Sequence, residues 1–316
     1  MERSLLVIVK KRLKWQKNGL MNNRLLALFS AGGATVIYGL NHTIAKEVMP
    51  NHVGAFGFIF IRTAGATILF WIASLFVPVE KIDKKDYIKL FFAALLGMCL
   101  NMLSFFKGLE LSTPVNSGIF ATTNPIIILC LSYFFLNEKI GIKKFIGVAL
   151  GFIGALVLVL QGTENSLRAP NVSFGNFLFL LNSIFFSSFI IMVKPLTQKY
   201  NTITIMKWLF FMGFFMTLPV TTEEFDEIDW VNLPFDAIWR IAFVVLGTTF
   251  LTYFLNLFAL KKLQASTVGA FAYAQPIIAI SFAIITGNDY LSLERGLACL
   301  IIIFGVYLVS QKSNKN

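Results

Sequence analysis

From residue 25 onward the chain is built of long apolar runs, nearly free of charge and separated by short polar breaks. Ten such runs can be marked, at 25–45, 53–77, 88–106, 112–136, 142–160, 173–193, 202–220, 239–260, 265–287 and 292–310. Each holds about 20 residues, which is what a helix needs to cross a hydrocarbon core of ~30 Å. The pattern predicts an all-α membrane protein of ten transmembrane helices. No connecting stretch is long enough for an extramembrane domain, and a soluble enzyme is excluded.

Composition agrees. The 316 residues are 57% hydrophobic and only 14% charged, with 34 Phe and a mean hydropathy of +0.74. Soluble domains average about 45–50% apolar and about 25% charged. Cys99, Cys130 and Cys299 lie inside apolar runs, and His42 and His52 are ten residues apart, so no metal site or disulfide framework is expected. No GxxxxGK[ST] loop is present for binding ATP, and no cofactor is expected.

The net charge of +11 follows membrane topology and does not point to nucleic acid. Twenty Lys and Arg fall in the two termini and in the segments 78–89, 137–144, 194–201 and 261–264; the alternate loops hold four, Lys46, Lys107, Arg168 and Arg295. Positive charge is retained on the cytoplasmic side, so both termini are expected there. The acidic loop 221–238 then falls outside. Residues 1–24 form a basic segment with an apolar run, Leu5 to Val9, too short to span and followed by no small-residue cleavage site. It reads as a disordered tail or an over-long start with Met21 as initiator, in preference to a segment lying on anionic lipid.

The second half repeats the first. With an offset of 151, Gly118-Ile119-Phe120-Ala121 through Asn124-Pro125-Ile126-Ile127 meets Gly269-Ala270-Phe271-Ala272 through Gln275-Pro276-Ile277-Ile278. Asn137-Glu138 meets Asn288-Asp289, Gly154 meets Gly305, and at an offset of 148 Lys46 meets Lys194. Five helices per half is an odd number, so the halves, 25–160 and 161–310 with a tail at 311–316, are expected to be inverted.

These residues carry a family likeness. Tyr38-Gly39-Leu40-Asn41, then Lys46, Pro50, Arg62 and Ala66, together with the duplicated Gly-x-Phe-Ala-x-x-x-Pro and Leu136-Asn137-Glu138, resemble the EamA-like ten-helix branch of the drug/metabolite transporter superfamily. Tyr38 stands where that family carries Trp, and Asp289 follows Gly287-Asn288. The resemblance implies alternating-access export of a small metabolite, an amino acid, drug or related solute, from a multi-pass protein of the bacterial inner membrane.

Polar side chains within a span are costly and are candidates for function by default, although they also bond helices to each other. The candidates for a substrate cavity are Asn41 and His42; Asn101 and Phe105; Asn182 and Phe186; Thr252 and Asn256, in a four-spaced stripe with Thr248; and Tyr273. Arg62 lies near the middle of its run, where no acidic residue of any run can pair with it. Asn124 and Gln275 precede Pro125 and Pro276, each of which should break its helix and free the carbonyl of Ala121 or Ala272; the amides either heal the break or meet substrate. Lys46, Lys194, Glu138 and Asp289, at the ends of runs, suit structural or gating roles. Gly147-x-x-x-Gly151 with Gly154 permits close helix contact within the bundle or in a homodimer.

The sequence therefore reads as a secondary transporter of a small solute. An exchanger of organic phosphates or other anions, with Arg62, Lys46 and Lys194 as ligands, is the alternative within the fold. A lipid scramblase or structural subunit is the alternative outside it. An intramembrane enzyme is disfavoured, since the in-run histidine has no carboxylate partner.

Overall fold

The computed structural model describes residues 2–49, 52–160, 170–285 and 293–311. All its regular structure is helical, with no strand among these residues. In chain order the helices are α1 (Glu2–Val48), α2 (Ala55–Ala73), α3 (Lys84–Leu111), α4 (Pro114–Ala121), α5 (Asn124–Leu136), α6 (Ile142–Leu160), α7 (Val172–Lys199) and α8 (Thr202–Asp226). They continue as α9 (Phe235–Lys262), α10 (Ala265–Ala270), α11 (Gln275–Ile285) and α12 (Leu293–Ser310). Among the described residues six helical stretches are long and apolar enough to cross a membrane: Ala55–Phe76, Lys84–Leu111, Asn116–Leu136, Val172–Lys199, Thr202–Asp226 and Phe235–Lys262.

Local chemistry sets the helix ends. Thr113, Asn171 and Asn201 accept from Asn116 N, Phe174 N and Ile203 N, filling donors that a helix start leaves empty. Asn137 ends α5 at φ 52°, a left-handed conformation that Asn tolerates better than most residues. Residues 2–24 are helical and continuous with α1, not a disordered tail; no proline lies between Arg3 and Met49 to stop the helix.

The surface is inverted relative to a soluble protein. Phe76, Phe134, Phe135 and Ile285 face outward at 70% exposure or more, whereas Thr63, Ser132, Ser183, Ser187, Thr217 and Thr252 are wholly buried. Many of these hydroxyls return a bond to a carbonyl three or four residues back, as Thr63 does to Ile59 O at 2.9 Å and Thr221 to Thr217 O at 3.0 Å.

The runs at 112–136 and 265–287 are not continuous helices. The first breaks at Thr122–Thr123, between α4 and α5; the second passes through a 3₁₀ turn, Phe271–Ala274, between α10 and α11. Pro125 and Pro276 therefore sit in the first turn of α5 and α11, where a missing N–H costs little. Two π-helical stretches also occur, Leu95–Leu100 in α3 and Phe243–Leu251 in α9, ending just before Asn101 and Thr252.

Glycines weld α6 to α12. A Cβ on Gly147 would stand 2.7 Å from Gly305 O, and one on Gly305 2.7 Å from Gly147 O. The small-residue face expected at 147–154 is thus used up inside the chain and does not point to a second copy.

Candidate functional site

A partly open cavity lies where helices of both halves meet. Residues from α1, α2, α3, α5, α7, α9 and α11 line it, together with Ala121 and Ala272 beside the two helix breaks. A smaller space adjoins it and shares Tyr38, Asn124, Phe186, Ala272 and Gln275.

Most residues singled out in the sequence converge here. Asn41, Arg62, Asn101, Phe105, Asn124, Asn182, Phe186 and Gln275 line the larger space, and Asn256 lines the smaller. Asn101 and Asn182 also tie α3 to α7: Asn182 Nδ2 donates to Asn101 O at 3.0 Å, and Asn101 Nδ2 to Asn182 O at 3.4 Å. Each fourth-residue aromatic, Phe105 and Phe186, falls on the same side as its amide, as helical spacing requires.

Arg62 is 3% exposed. Its Nε donates to Thr249 Oγ1 at 2.8 Å, and its guanidinium lies 4.4 Å from the ring centroid of Phe106. Thr249 in turn donates to Val244 O at 2.8 Å, the five-residue reach of the π-helical stretch, which leaves its oxygen free to accept from Arg62. Among the described residues no acidic side chain forms an ion pair with Arg62. Asn41 Oδ1, Asn124 Oδ1 and Thr248 Oγ1 are buried without a hydrogen-bond partner.

Hydroxyls surround the break between α4 and α5. Thr122 and Thr123 Oγ1 donate back to Ile119 O and Phe120 O, each at 2.6 Å, and Ser183 Oγ of α7 reaches Phe120 O at 3.0 Å. Asn124 itself lines the cavity.

Several expectations are corrected. Thr252 is buried but lines neither space, donating to Thr248 O; the π-helical stretch just before it alters the register that a four-residue spacing assumes. Tyr273 packs beside Gly151, in a cluster with Ala298 and Ile302 of α12, away from the cavity. Lys46 and Lys194 line neither space and are held on helix-end carbonyls. Lys46 Nζ donates to Leu109 O at 2.6 Å, Glu110 O at 3.2 Å and Ser112 O at 3.1 Å, capping α3. Lys194 Nζ donates to Leu260 O, and to Leu263 O at 2.6 Å, capping α9. Glu138 is buried and receives Ala265 N and Ser266 Oγ, each at 2.6 Å, at the start of α10. The side chain of His42, and Asp289 as a whole, lie outside the described residues.

Sequence reasoning missed Tyr38, Met102, Phe106 and Tyr253 as cavity walls. Tyr38 was the most accessible of these, three residues before Asn41 and hence on its face.

A model of the EamA-like transporter family matches residues 25–160 and 173–311. The chain is similar to an uncharacterized transporter, YetK, of Bacillus subtilis, at 26% identity over 93% of this chain and 90% of that one. It is also similar to an uncharacterized transporter of Methanothermobacter thermautotrophicus, at 25% identity over 93% and 88%. A third relative, the S-adenosylmethionine uptake transporter of Rickettsia felis, is 23% identical over 81% and 84%. A solved crystal structure superposes with a TM-score of 0.71 at 15% identity, over 91% of this chain and 96% of that one.

Proposed function

The chain belongs to the EamA-like transporter family, as a multi-pass membrane protein and not an enzyme, and from that premise we propose that it moves a small solute through the central cavity by alternating access of two inverted five-helix halves. The observation that carries the reading is the cavity itself: one space lined from both halves, with Arg62 and several amides among its walls. A scramblase or structural subunit does not require such a space.

Repetition at one offset supports the two-half arrangement. Lys46 caps α3 at Leu109 and Ser112, and Lys194 caps α9 at Leu260 and Leu263, so both pairs of acceptors are related by 151 residues. The π-helical stretches end before Asn101 and Thr252, again 151 apart, and each half has one broken helix ahead of its amide–proline pair. Ten spans with both termini cytoplasmic fit the segregation of Lys and Arg.

Purified protein in proteoliposomes, tested with radiolabelled amino acids and organic anions loaded on either side, tests the proposal. Saturable flux of at least one solute is expected, and the side of faster flux gives the direction. Flux of none, with lipid flipping instead, overturns it.

A further inference from the structure

Charge matching narrows the solute. Arg62 carries five N–H donors, of which the Nε–H is spent on Thr249 and one π-face on Phe106. The two terminal nitrogens retain four donors in a planar fork, on a side chain that lines the cavity, and Arg62 has no ion pair with a described carboxylate. A buried cation without a counter-charge is strongly disfavoured unless a partner arrives, and the fork fits a carboxylate with two parallel bonds.

Among the described residues the charge to be matched is one. Lys46 and Lys194 are held on helix-end carbonyls, Lys207 lies 4.6 Å from the Trp71 ring centroid, and Arg240 pairs with Asp236 at 2.9 Å. None lines the cavity, so a phosphate dianion would leave a second negative charge uncompensated in a low-dielectric space. A cationic group on the solute would be equally uncompensated, because among the described residues no acidic side chain lines the cavity; the orphaned Asn41 and Asn124 oxygens are neutral acceptors. Met102, Phe105, Phe106 and Phe186 supply an apolar wall beside the cation.

We propose that the solute is a monocarboxylate with an apolar body and no cationic group, its carboxylate held by the terminal nitrogens of Arg62. This rests on the transport reading above. The test is binding to detergent-purified protein at pH 7.5 by calorimetry, with three probes of one body: 3-phenylpropanoate, its neutral amide 3-phenylpropanamide, and phenylalanine. The carboxylate should bind at least about tenfold more tightly than either of the others. In Arg62→Gln, shown to be folded by an unchanged elution profile, that preference should vanish; Arg62→Lys should keep part of it. Equal or tighter binding of the amide or of phenylalanine, or binding of none of the three, overturns the substrate class. Because the comparison is made in the unaltered protein, it stands even if the Arg62 variants misfold. Failure here with saturable flux of another solute in proteoliposomes would sink the substrate class alone, whereas absence of flux for every solute would sink transport as well.

Discussion

At the scale of residues, the lysines at the ends of α1 and within α7 show how much a side chain's role depends on distant partners. Each ammonium replaces water at carbonyls 63 to 69 residues away, which no local pattern announces. The offset of 148 marks the two as equivalent; their task appears only once the ends of α3 and α9 are beside them. Replacing Lys46 or Lys194 by Met should keep the stem and lose the charge-assisted bonds, destabilising the protein by about 1.5–3 kcal/mol. Thermal unfolding in detergent checks this, with solute affinity expected to remain within about twofold, since neither lysine lines the cavity. Amides inside apolar runs were far more legible. Asn101, Asn124 and Asn182 stand out against Leu, Ile and Phe, and burying an amide in such surroundings demands a reason. Tyr38, Phe106 and Tyr253 did not stand out among 34 Phe and 8 Tyr.

At the scale of elements, α2 and α8 run as a pair whose starts are each closed by an acid from the end of the other. Glu224 Oε2 near the end of α8 accepts from Phe56 N at 2.6 Å and Gly57 N at 3.0 Å, at the start of α2. Glu80, beyond the end of α2, accepts from Asn201 N at 2.7 Å, at the start of α8. Both carboxylates sit where a helix macrodipole favours negative charge. Glu224→Gln should cost about 1 kcal/mol in thermal unfolding. Gly57→Ala should cost more, because its Cβ would stand 2.8 Å from Glu224 O and force the pair apart. Prolines made the two broken helices visible in the sequence, and the first breaks at Thr122–Thr123, directly after Ala121. Nothing announced the π-helical stretches, since hydropathy is indifferent to whether a buried turn holds four residues or five. That is why the Thr248–Thr252–Asn256 stripe splits, with Thr248 and Asn256 on the two spaces and Thr252 on neither. Cysteine at Thr252 should therefore react with a small aqueous thiol reagent at least about tenfold more slowly than cysteine at Phe186, as wholly buried sites open only transiently.

At the scale of the whole molecule, the bundle turns apolar side chains outward and gathers polar ones around a space shared by its two halves, which is the arrangement alternating access requires. The order of apolar runs and the duplicated amide–proline motif made this architecture readable, because a membrane allows few ways to satisfy backbone groups. Which polar residues meet in one cavity, and which only bond helices together, depended on packing between elements far apart in sequence. The most direct measurement of alternating access uses Phe186→Cys, half-buried and common to both spaces, in a background with Cys99, Cys130 and Cys299 replaced by Ser. Sealed right-side-out and inside-out membrane vesicles are treated with a membrane-impermeant thiol reagent, with Leu300→Cys on the exposed apolar surface of α12 as control. Modification of Phe186→Cys from both sides, faster than the control in each, is the predicted result; modification from neither side, or no faster than at Leu300→Cys, would contradict it.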